Sequence, residues 1–261
     1  MKLTVSDLCF SYSKNGRQIL QEVSCEFHEK SVTAILGPNG CGKTTLAKCI
    51  NKINIPSSGD IHFGDRSIND LGRGEIAKIV GYVPQFSTAR MVGTVMEFVM
   101  LGRRQYLGWG IKEEDIQAVA DVLERLNISD LSDKNYNELS GGQKQKVLVA
   151  RALMQDSEIY LFDEPTSNLD IKNELEIMEL AKGIVDEKEK SVVMVVHDLN
   201  MALHYADYAV LMKAGKVISH GKTRDVMTEK SVNEVYGVKT RIEDCGFVNP
   251  FVKGREIKKR V

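Results

Sequence analysis

The most constraining feature of this chain is the stretch Gly37-Pro38-Asn39-Gly40-Cys41-Gly42-Lys43-Thr44-Thr45. It has the spacing G-x-x-x-x-G-K-[ST] of a phosphate-binding loop. The apolar run at 32–36 predicts a buried strand before the loop, and residues 44–50 predict a helix after it. This order of strand, loop and helix is the context that such a loop needs.

The residue types in this loop match the chemistry of binding a triphosphate. Gly37, Gly40 and Gly42 lack a Cβ, so phosphate groups can approach the backbone N–H groups closely. The N-terminus of the following helix directs unpaired N–H groups and the positive end of its dipole at an anion. Lys43 adds a full positive charge toward the β- and γ-phosphates, and the Thr44 hydroxyl is placed to bind Mg²⁺.

Composition excludes several functional classes. The 35 Lys and Arg against 36 Asp and Glu leave a formal net charge of −1, so there is no basic field for nucleic acid. No apolar run approaches the roughly 18 residues of a transmembrane helix. The first residues begin a strand-like alternation rather than a signal peptide. The five cysteines have no C-x-x-C spacing and fit a reduced intracellular compartment better than a disulfide framework.

Cys41 is the cysteine that lies in a candidate site. A thiol near a helix N-terminus can have a lowered pKa and then act as a nucleophile. No His or Asp spacing in this sequence indicates a partner for such a nucleophile. We therefore interpret Cys41 as a small side chain at a variable position of the phosphate loop.

The spacing of apolar residues predicts an α/β fold. Residues 3–10 and 19–27 are predicted as strands joined by a turn, which gives an antiparallel layer. Later segments alternate strand and helix, and this alternation predicts a mostly parallel sheet. Continuous apolar runs at 159–162 and 192–196 predict central strands that are buried on two faces. Residues 94–138 have helical spacing instead, so a separate helical lobe is expected there.

Two further segments lie between the phosphate loop and this helical lobe. Residues 55–60 contain Pro, Ser and Gly and are predicted as a loop, with a short strand at 61–63. Residues 79–85 are predicted as a strand that ends at a proline.

A second chemical element is the acidic pair Asp163 and Glu164, which follows the apolar run at 159–162. A carboxylate at the end of such a strand can hold Mg²⁺ beside bound phosphates, a role that we assign to Asp163. Glu164 is then positioned to polarise the attacking water. Two acidic residues without a function, exposed at the end of a strand, would give the same sequence pattern. This pair alone therefore does not establish a metal or catalytic site.

The third element is the motif Leu139-Ser140-Gly141-Gly142-Gln143. Ser140 is a good N-cap, and Gly141 and Gly142 expose backbone N–H groups at the start of a helix predicted over 143–154. This is a second helix N-terminus suited to an anion, and it has no second lysine. With this motif the chain resembles the ATP-binding cassette (ABC) ATPases, whose signature sequence is LSGGQ.

Four further features match the order of motifs in that family. Tyr12 matches the aromatic residue that stacks on adenine. Gln85 matches the Q-loop glutamine, which the resemblance implies is a magnesium ligand and a catalytic residue. Residues 167–170, which end at Asp170, match the D-loop, and His197 matches the switch histidine that touches the γ-phosphate. Taken singly, Tyr12 is an exposed strand tyrosine and His197 a core or capping histidine. Their order and spacing relative to the stronger motifs favour the functional interpretation.

The resemblance covers residues 1 to about 240, and it implies both a fold and a mechanism. We expect a P-loop NTPase core with a mostly parallel sheet, an N-terminal antiparallel β subdomain and an inserted helical subdomain at about 90–155. Residues 241–261 are expected to form a short C-terminal tail. In the family two cassettes pair head to tail, and each ATP lies between one phosphate loop and the partner's Ser140–Gly142 helix N-terminus. Binding of ATP closes the dimer, and hydrolysis reopens it.

The resemblance also implies what the cassette serves. The stretch 94–103 reads T-V-x-E-x-V-x-x-G-R, as in cassettes of importers of iron–siderophore, haem or cobalamin, and the short tail is like theirs. Such a cassette energises transmembrane permease subunits, which are separate chains, at the cytoplasmic face of the membrane. A periplasmic or extracellular substrate-binding protein takes part indirectly. Residues 91–110 are the candidate surface for the permease. The alternatives are a soluble ABC ATPase of iron–sulfur cluster assembly and a transporter subunit for another substrate.

Overall fold

The computed structural model describes residues 1–13, 16–85, 93–106, 110–167, 169–242 and 248–251. The strands are β1 (Leu3–Phe10), β2 (Leu20–Phe27), β3 (Val32–Leu36), β4 (Ser58–Phe63), β5 (Arg66–Ser67), β6 (Val80–Val83), β7 (Ile159–Asp163), β8 (Ser191–Val195), β9 (Tyr208–Lys213), β10 (Lys216–Lys222), β11 (Lys239–Ile242) and β12 (Val248–Phe251). The helices are α1 (Lys43–Ile50), α2 (Arg73–Ile79), α3 (Val95–Met100), α4 (Glu113–Arg125), α5 (Gly141–Leu153), α6 (Ile171–Lys188), α7 (Leu199–Tyr205), α8 (Thr223–Val226) and α9 (Glu229–Tyr236).

The larger sheet has the strand order β10-β9-β3-β8-β7-β6. Neighbouring strands from β9 to β6 run parallel, and β10 is antiparallel at the edge. Every residue of β3, β7 and β8 is buried, as expected for parallel strands that are covered on both faces. The predicted mostly parallel sheet is confirmed. Because the strands are parallel, their carboxyl ends meet at one edge, and the candidate site lies there.

The smaller sheet is antiparallel and has the strand order β2-β1-β4-β5. Its apolar side chains, such as Leu3 and Val5, belong to one buried cluster with Leu46 of α1 and Val193 of β8. This sheet therefore packs over α1 and one face of the larger sheet. The predicted N-terminal antiparallel layer is confirmed.

The described residues between β6 and β7 include the three helices α3, α4 and α5. Their apolar faces join a second buried cluster, in which the rings of Phe98 and Tyr136 lie 4.5 Å apart. Thr94 and Ser140 begin α3 and α5 as N-caps, each with a reciprocal side-chain contact three residues on. The predicted helical insertion is confirmed, and its expected limits near 90 and 155 stay a prediction.

Two local predictions between the phosphate loop and the helical lobe are wrong. Ser58 to Asp60 were assigned to a loop but form the start of β4, because they pair with β1 opposite Cys9 and Ser6. Ile79 was assigned to a strand but is the last residue of α2, a helix that was not predicted. In both places, tertiary pairing rather than local composition decides the structure.

The C-terminal residues of the described chain form the hairpin of β11 and β12. The hairpin is tied to α7, because the Val248 N–H donates to Asn200 Oδ1 at 2.8 Å. Residues 252–261 of the predicted tail lie outside the described part of the chain. Among the described helices, none combines the length and apolar character needed to cross a membrane.

Candidate nucleotide-binding and hydrolysis site

The phosphate loop connects the carboxyl end of β3 to α1 and depends on two glycines for its path. Gly42 is the N-cap of α1 and has a φ of 110°, a backbone conformation that side chains with a Cβ rarely adopt. A Cβ on Gly37 would lie 2.2 Å from the Met212 carbonyl oxygen of β9. The loop is also tied to the turn after β9, since the Gly215 N–H donates to the Cys41 carbonyl at 2.9 Å. The neighbouring strands therefore hold the loop in place.

Lys43 lies folded against the loop itself. Its side chain is 4 % exposed, and Nζ donates to the carbonyl oxygens of Gly37 at 2.8 Å and Pro38 at 3.2 Å. Neutral carbonyls balance a buried ammonium less well than an anion does. Lys43 is therefore a charge that phosphate oxygens would stabilise further at this position.

Cys41 is buried under the loop, 4 % exposed. Its Sγ lies 2.8 Å from the position that a Cβ on Gly37 would occupy, so the thiol packs against the base of the loop. Burial raises the pKa of the Cys41 thiol, and the nearby Lys43 charge only partly opposes this effect. A raised pKa is the opposite of what a thiolate nucleophile needs, which supports the interpretation of Cys41 as a small packing side chain.

Two of the three predicted magnesium ligands, Thr44 and Asp163, are hydrogen-bonded to each other, whereas the third, Gln85, contacts Glu164. Thr44 Oγ1 of α1 donates to Asp163 Oδ1 of β7 at 2.8 Å, and the Tyr82 hydroxyl of β6 donates to Asp163 Oδ2 at 3.0 Å. Burial raises the pKa of the Asp163 carboxyl, whereas these two hydrogen bonds lower it and the charge of Glu164 raises it further. Burial also raises the pKa of Tyr82, so its hydroxyl keeps its proton and donates.

Glu164 is held between two of the residues predicted to act with it. Gln85 Nε2 donates to one carboxylate oxygen at 2.5 Å, and His197 Nε2 lies 2.7 Å from the other. The backbone of Glu164 has a φ of 52°, an unusual value for a residue with a side chain. Such strain is retained where the surrounding structure requires it and is frequent at functional sites. The three side chains come from the ends of β6, β7 and β8, so the sheet edge assembles the cluster.

Tyr12 is an exposed aromatic residue beside the loop. It is 65 % exposed, and its ring stands edge-on to Phe10 with centroids 4.9 Å apart. Its hydroxyl lies 3.3 Å from Thr45 Oγ1 in α1. One face of the ring is therefore open next to the start of α1, where an adenine base could stack.

Most of the predicted residues line one cavity of about 410 Å³. Its walls are formed by Tyr12, Ile19, Asn39, Gly40, Gly42, Lys43, Thr44, Thr45, Gln85, Glu164 and His197. Asp163 lies behind the cavity as the hydrogen-bond partner of Thr44. The cavity thus combines a cation, a hydroxyl and carboxylate pair, and an acid positioned by an amide and an imidazole.

The signature residues lie in a different cavity. Ser140 caps α5 by accepting the Gln143 N–H at 3.3 Å, and Gln143 Oε1 accepts the Ser140 N–H at 3.0 Å. Ser140 and Gly142 line a polar cavity of about 340 Å³ that shares no lining residue with the first one. The start of α5 is exposed at Ser140 and Gly141. Within one chain, the two predicted anion sites are therefore separate.

Asp170 also lies outside the first cavity. Its carboxylate caps α6, because Oδ1 accepts the Asn173 N–H at 2.8 Å and Oδ2 accepts from Asn173 Nδ2 at 2.9 Å. Among the described residues, none of these hydrogen bonds joins Asp170 to the phosphate-loop cavity, so its role in nucleotide binding stays a prediction. Asn168 of the predicted D-loop lies outside the described residues.

Tyr82 is a site residue that the sequence interpretation missed. It lies in the strand leading to Gln85, and a tyrosine with its polar end in an otherwise apolar strand was the available signal. Its contact with Asp163 depends on how β6 pairs with β7, opposite Leu161, and no sequence pattern gives that register.

The residues present fit ATP with Mg²⁺. The described residues contain no group of three or more His, Cys, Asp or Glu side chains that could hold a metal alone. Mg²⁺ does not need such a group, since it is usually bound by one or two protein ligands together with phosphate oxygens and water. Thr44 and the buried Asp163 supply oxygen ligands of this kind. A cation there would also favour the ionised form of Asp163.

Comparison with known proteins agrees with this geometry. Residues 20–167, more than half of the chain, match the family model for ABC transporters, so this chain belongs to the ABC transporter family. It is an ATP-binding and ATP-hydrolysing cassette, which is the activity of that family. The comparison favours a transporter subunit over the alternative of an ATPase for iron–sulfur cluster assembly.

Individual relatives match along nearly the whole chain. An uncharacterised ABC transporter ATP-binding protein of Methanocaldococcus jannaschii is 42 % identical over 244 residues, and the match covers 94 % of each chain. The ferric enterobactin transport ATP-binding protein of Escherichia coli K12 is 32 % identical, and the match covers 93 % of this chain and 90 % of that one. A solved dimeric cassette bound to ADP and phosphate has a TM-score of 0.78 and 30 % identity, covering 85 % of this chain and 99 % of that chain.

Proposed function

We propose that this chain is the ATPase subunit of an importer that carries a metal chelate such as an iron–siderophore, haem or cobalamin. The ATPase part rests on one observation, the cavity in which Glu164 faces Lys43 and Thr44. The chelate part is supported by the relative named for ferric enterobactin transport and by the sequence pattern at 94–103. A substrate-binding protein outside the membrane would deliver the chelate to the permease.

The residues of the cavity would divide the work of binding and hydrolysis. Lys43 would exchange the carbonyls of Gly37 and Pro38 for oxygens of the β- and γ-phosphates, which offer it a full opposite charge. Thr44 and Asp163 would hold Mg²⁺. When bound, this ion would neutralise phosphate charge and keep the terminal phosphate in line for attack.

Glu164 would act on the water that attacks the γ-phosphate. Its carboxylate already accepts a hydrogen bond from Gln85 on one oxygen and lies close to His197 on the other, so the acid is oriented before substrate arrives. His197 would contact the γ-phosphate. Gln85 would respond to whether the phosphate is present, because it shares the Glu164 carboxylate with His197. These contacts support the assignments of catalytic residues.

The site would be completed by a second copy of the chain in head-to-tail orientation. The Ser140 hydroxyl and the N–H groups of Gly141 and Gly142 would then bind the γ-phosphate held by the other copy. This proposal is supported by the separation of the two cavities within one chain and by the dimeric cassette among the structural neighbours.

The permease would dock at a cleft of about 420 Å³ between α2 and α5, at the cytoplasmic face of the membrane. Lys52, Arg73 and Arg151 line this cleft, and its described lining contains no carboxylate. The Arg151 guanidinium lies over the Phe98 ring at 5.1 Å and has no ion pair among the described residues. This charge suits a cytoplasmic segment of the permease that carries an acidic side chain.

The predicted docking segment 91–110 borders the same cleft. Tyr106 is 46 % exposed, and its hydroxyl donates to the carbonyl of Gln155, which lines the cleft. Residues 91, 92 and 107–109 of this segment lie outside the described part of the chain. The proposed docking surface therefore combines the cationic cleft with the exposed aromatic residue at its border.

Reconstitution tests this proposal. The chain is assembled with its permease in liposomes, ATP is supplied on the cassette side, and uptake of ferric siderophore, haem and cobalamin is measured. We expect ATP hydrolysis together with uptake of one of the three, and neither in the Glu164→Gln variant. Hydrolysis without uptake of any of the three would contradict the substrate class, and absence of hydrolysis would contradict the ATPase assignment.

A further inference from the structure

Tyr82 belongs to none of the sequence motifs, yet it contacts the carboxylate on which the metal site depends. Its hydroxyl donates to Asp163 Oδ2 at 3.0 Å, while Thr44 donates to Oδ1 at 2.8 Å. Each oxygen of the Asp163 carboxylate thus accepts one hydrogen bond from a hydroxyl group. Two such contacts fix both the position and the rotation of a carboxylate, whereas Thr44 alone would leave Asp163 free to turn about its last bond.

The side chain of Tyr82 reaches Asp163 from a neighbouring strand. In the parallel pair of β6 and β7, Tyr82 lies opposite Leu161, two residues before Asp163. The phenol ring therefore extends along β7 toward the sheet edge, where the phosphate loop begins. The hydrogen bond to Asp163 is therefore not a contact between residues paired in register, because the residue paired with Tyr82 is Leu161.

The ring of Tyr82 is not enclosed by the core. It is half-buried and lines the cationic cleft together with Arg73 and Arg151. A tyrosine that only filled space would have apolar neighbours on all sides and no reason to place its hydroxyl on a carboxylate. Here one side of the ring is bounded by the open cleft, and the hydroxyl contact anchors the other end.

We propose that Tyr82 is a positioning residue that holds the Asp163 carboxylate in the orientation needed to bind the magnesium ion of Mg·ATP. This inference rests on the proposed roles of Thr44 and Asp163 as metal ligands. Tyr82 does not line the phosphate-loop cavity, so we assign it no direct contact with the metal or the nucleotide. It acts through Asp163, as outer contacts of metal ligands commonly do.

The test uses Tyr82→Phe, which removes one hydroxyl and keeps the ring. Binding of Mn²⁺ is followed by electron paramagnetic resonance with ATP present, in a Glu164→Gln background that prevents turnover. We expect the Mn²⁺ affinity to fall by about 10-fold, the usual range for loss of an outer contact of a metal ligand. Binding of ATP in EDTA should stay within about twofold of the parent, because the hydroxyl contacts no part of the phosphate loop.

The matched control is Tyr160→Phe in the adjacent strand. Tyr160 is a buried tyrosine of β7 whose hydroxyl donates to the Leu153 carbonyl at 3.5 Å, away from the site. Its variant loses the same atom, and we expect no change in Mn²⁺ affinity. Introducing 4-aminophenylalanine at position 82 restores an N–H donor and should return most of the lost affinity, even if Tyr82→Phe is less stable.

The outcomes separate this inference from the function on which it rests. If the parent binds Mn²⁺ with ATP but Tyr82→Phe binds it equally well, the positioning role of Tyr82 is wrong. The same conclusion follows if Tyr160→Phe loses as much affinity as Tyr82→Phe. If the parent itself binds no Mn²⁺ with ATP, both the metal site and the role of Tyr82 are overturned.

Discussion

The phosphate-loop cavity and the signature cavity both present a helix N-terminus, but they are constructed differently. At the phosphate loop, Lys43 and Asp163 are almost fully buried, and the carboxylates are already hydrogen-bonded to neighbouring elements. At the signature, Ser140 and Gly141 are exposed, and the hydrogen bonds of Ser140 go to Gln143 in the same helix. The functional groups of the first site come from the ends of several strands, whereas those of the signature motif come from one helix end.

This difference determines what each cavity can do without help. The phosphate loop combines a cation with N–H donors, so it can bind a polyphosphate within a single chain. The signature motif offers N–H groups and a hydroxyl, and Lys146, which also lines the signature cavity, is already paired with Glu176. Charge-neutral donors of this kind bind an anion weakly in water. Loss of a phosphate-binding group such as Lys43 from the first cavity should therefore affect ATP binding by a single chain. Loss of a group from the signature cavity should instead affect ATP hydrolysis, which is proposed to need two copies of the chain.

The largest expected effect is that of Glu164→Gln on turnover. The amide cannot accept a proton from water, so kcat should fall by about 10³-fold, within the range for loss of a general base. Binding of ATP should persist, because Lys43 and the loop are intact. Gel filtration with ATP should show a dimer that the parent chain forms only transiently.

The control for this variant is Glu189→Gln, an exposed acid in a surface ion pair with Lys30. It should hydrolyse ATP at the parent rate. A Glu164→Gln chain that remains monomeric with ATP would show that the second cavity is not used in the proposed way.

The second effect is the loss of nucleotide affinity in Lys43→Ala. Removing a buried ammonium takes away two or more charge-assisted contacts with phosphate, so ATP affinity should fall by about 100-fold or more. Isothermal titration with ATP measures this directly on the isolated chain. Lys172→Ala, at a side chain that is 85 % exposed, is the control. Parent-like affinity in Lys43→Ala would mean that the buried cation does not face the nucleotide.

The two cavities also differ in how much of them the sequence reveals. Lys43, Thr44 and Asp163 were predicted to meet, because a phosphate loop and an acid at the end of a parallel strand share one sheet edge. The assignment of Gln85 and His197 to the same site followed from motif order in the family, since neither residue is informative by itself. Their contacts with the two oxygens of one carboxylate, that of Glu164, were not predicted. The local sequence pattern was sufficient to place Lys43, Thr44 and Asp163 in one site. It was not sufficient to place Gln85 and His197 there.

Other features depend on geometry that no local pattern carries. The contact of Tyr82 with Asp163 requires the register of β6 against β7, and the left-handed backbone of Glu164 requires the turn that follows β7. The early start of β4 similarly requires its pairing with β1. The contact of Tyr82 and the start of β4 are each set by a strand far away in sequence. The domain boundary expected near residue 240 rests on the extent of the family resemblance, and it stays a prediction.

The third effect concerns the signature and is smaller. Ser140→Ala should reduce ATP hydrolysis by about 10-fold, because one hydroxyl contact to the γ-phosphate is lost in the closed dimer. The affinity of the isolated chain for ATP should not change, since Ser140 lies outside the phosphate-loop cavity. Steady-state hydrolysis and titration of the monomer measure the two quantities separately.

The chain offers a close control for the structural cost of this variant. Ser140→Ala also removes an N-cap, which destabilises a helix by about 1 kcal/mol. Thr94 is the N-cap of α3, with the same reciprocal contact to Glu97, and it lies in neither cavity. Thr94→Ala should therefore lower the melting temperature similarly without lowering hydrolysis. Equal loss of hydrolysis in both variants would assign the effect to helix stability.

The smallest effect is that of Tyr12, and it tests whether the phosphate-loop cavity depends on the base as well as the phosphates. Stacking of a base on an aromatic ring contributes about 1–3 kcal/mol, so Tyr12→Ala should weaken ATP binding by about 5- to 10-fold, near the lower end because the ring is so exposed. Tyr12→Phe should bind nearly as well as the parent, because the hydroxyl contact to Thr45 is long at 3.3 Å. Because Tyr12 lines the phosphate-loop cavity, the whole loss of ATP affinity should be measurable by titration of the monomer. The kcat at saturating ATP should not change. A Tyr12→Ala chain with normal affinity and lowered kcat would place Tyr12 with the residues that act after the dimer closes.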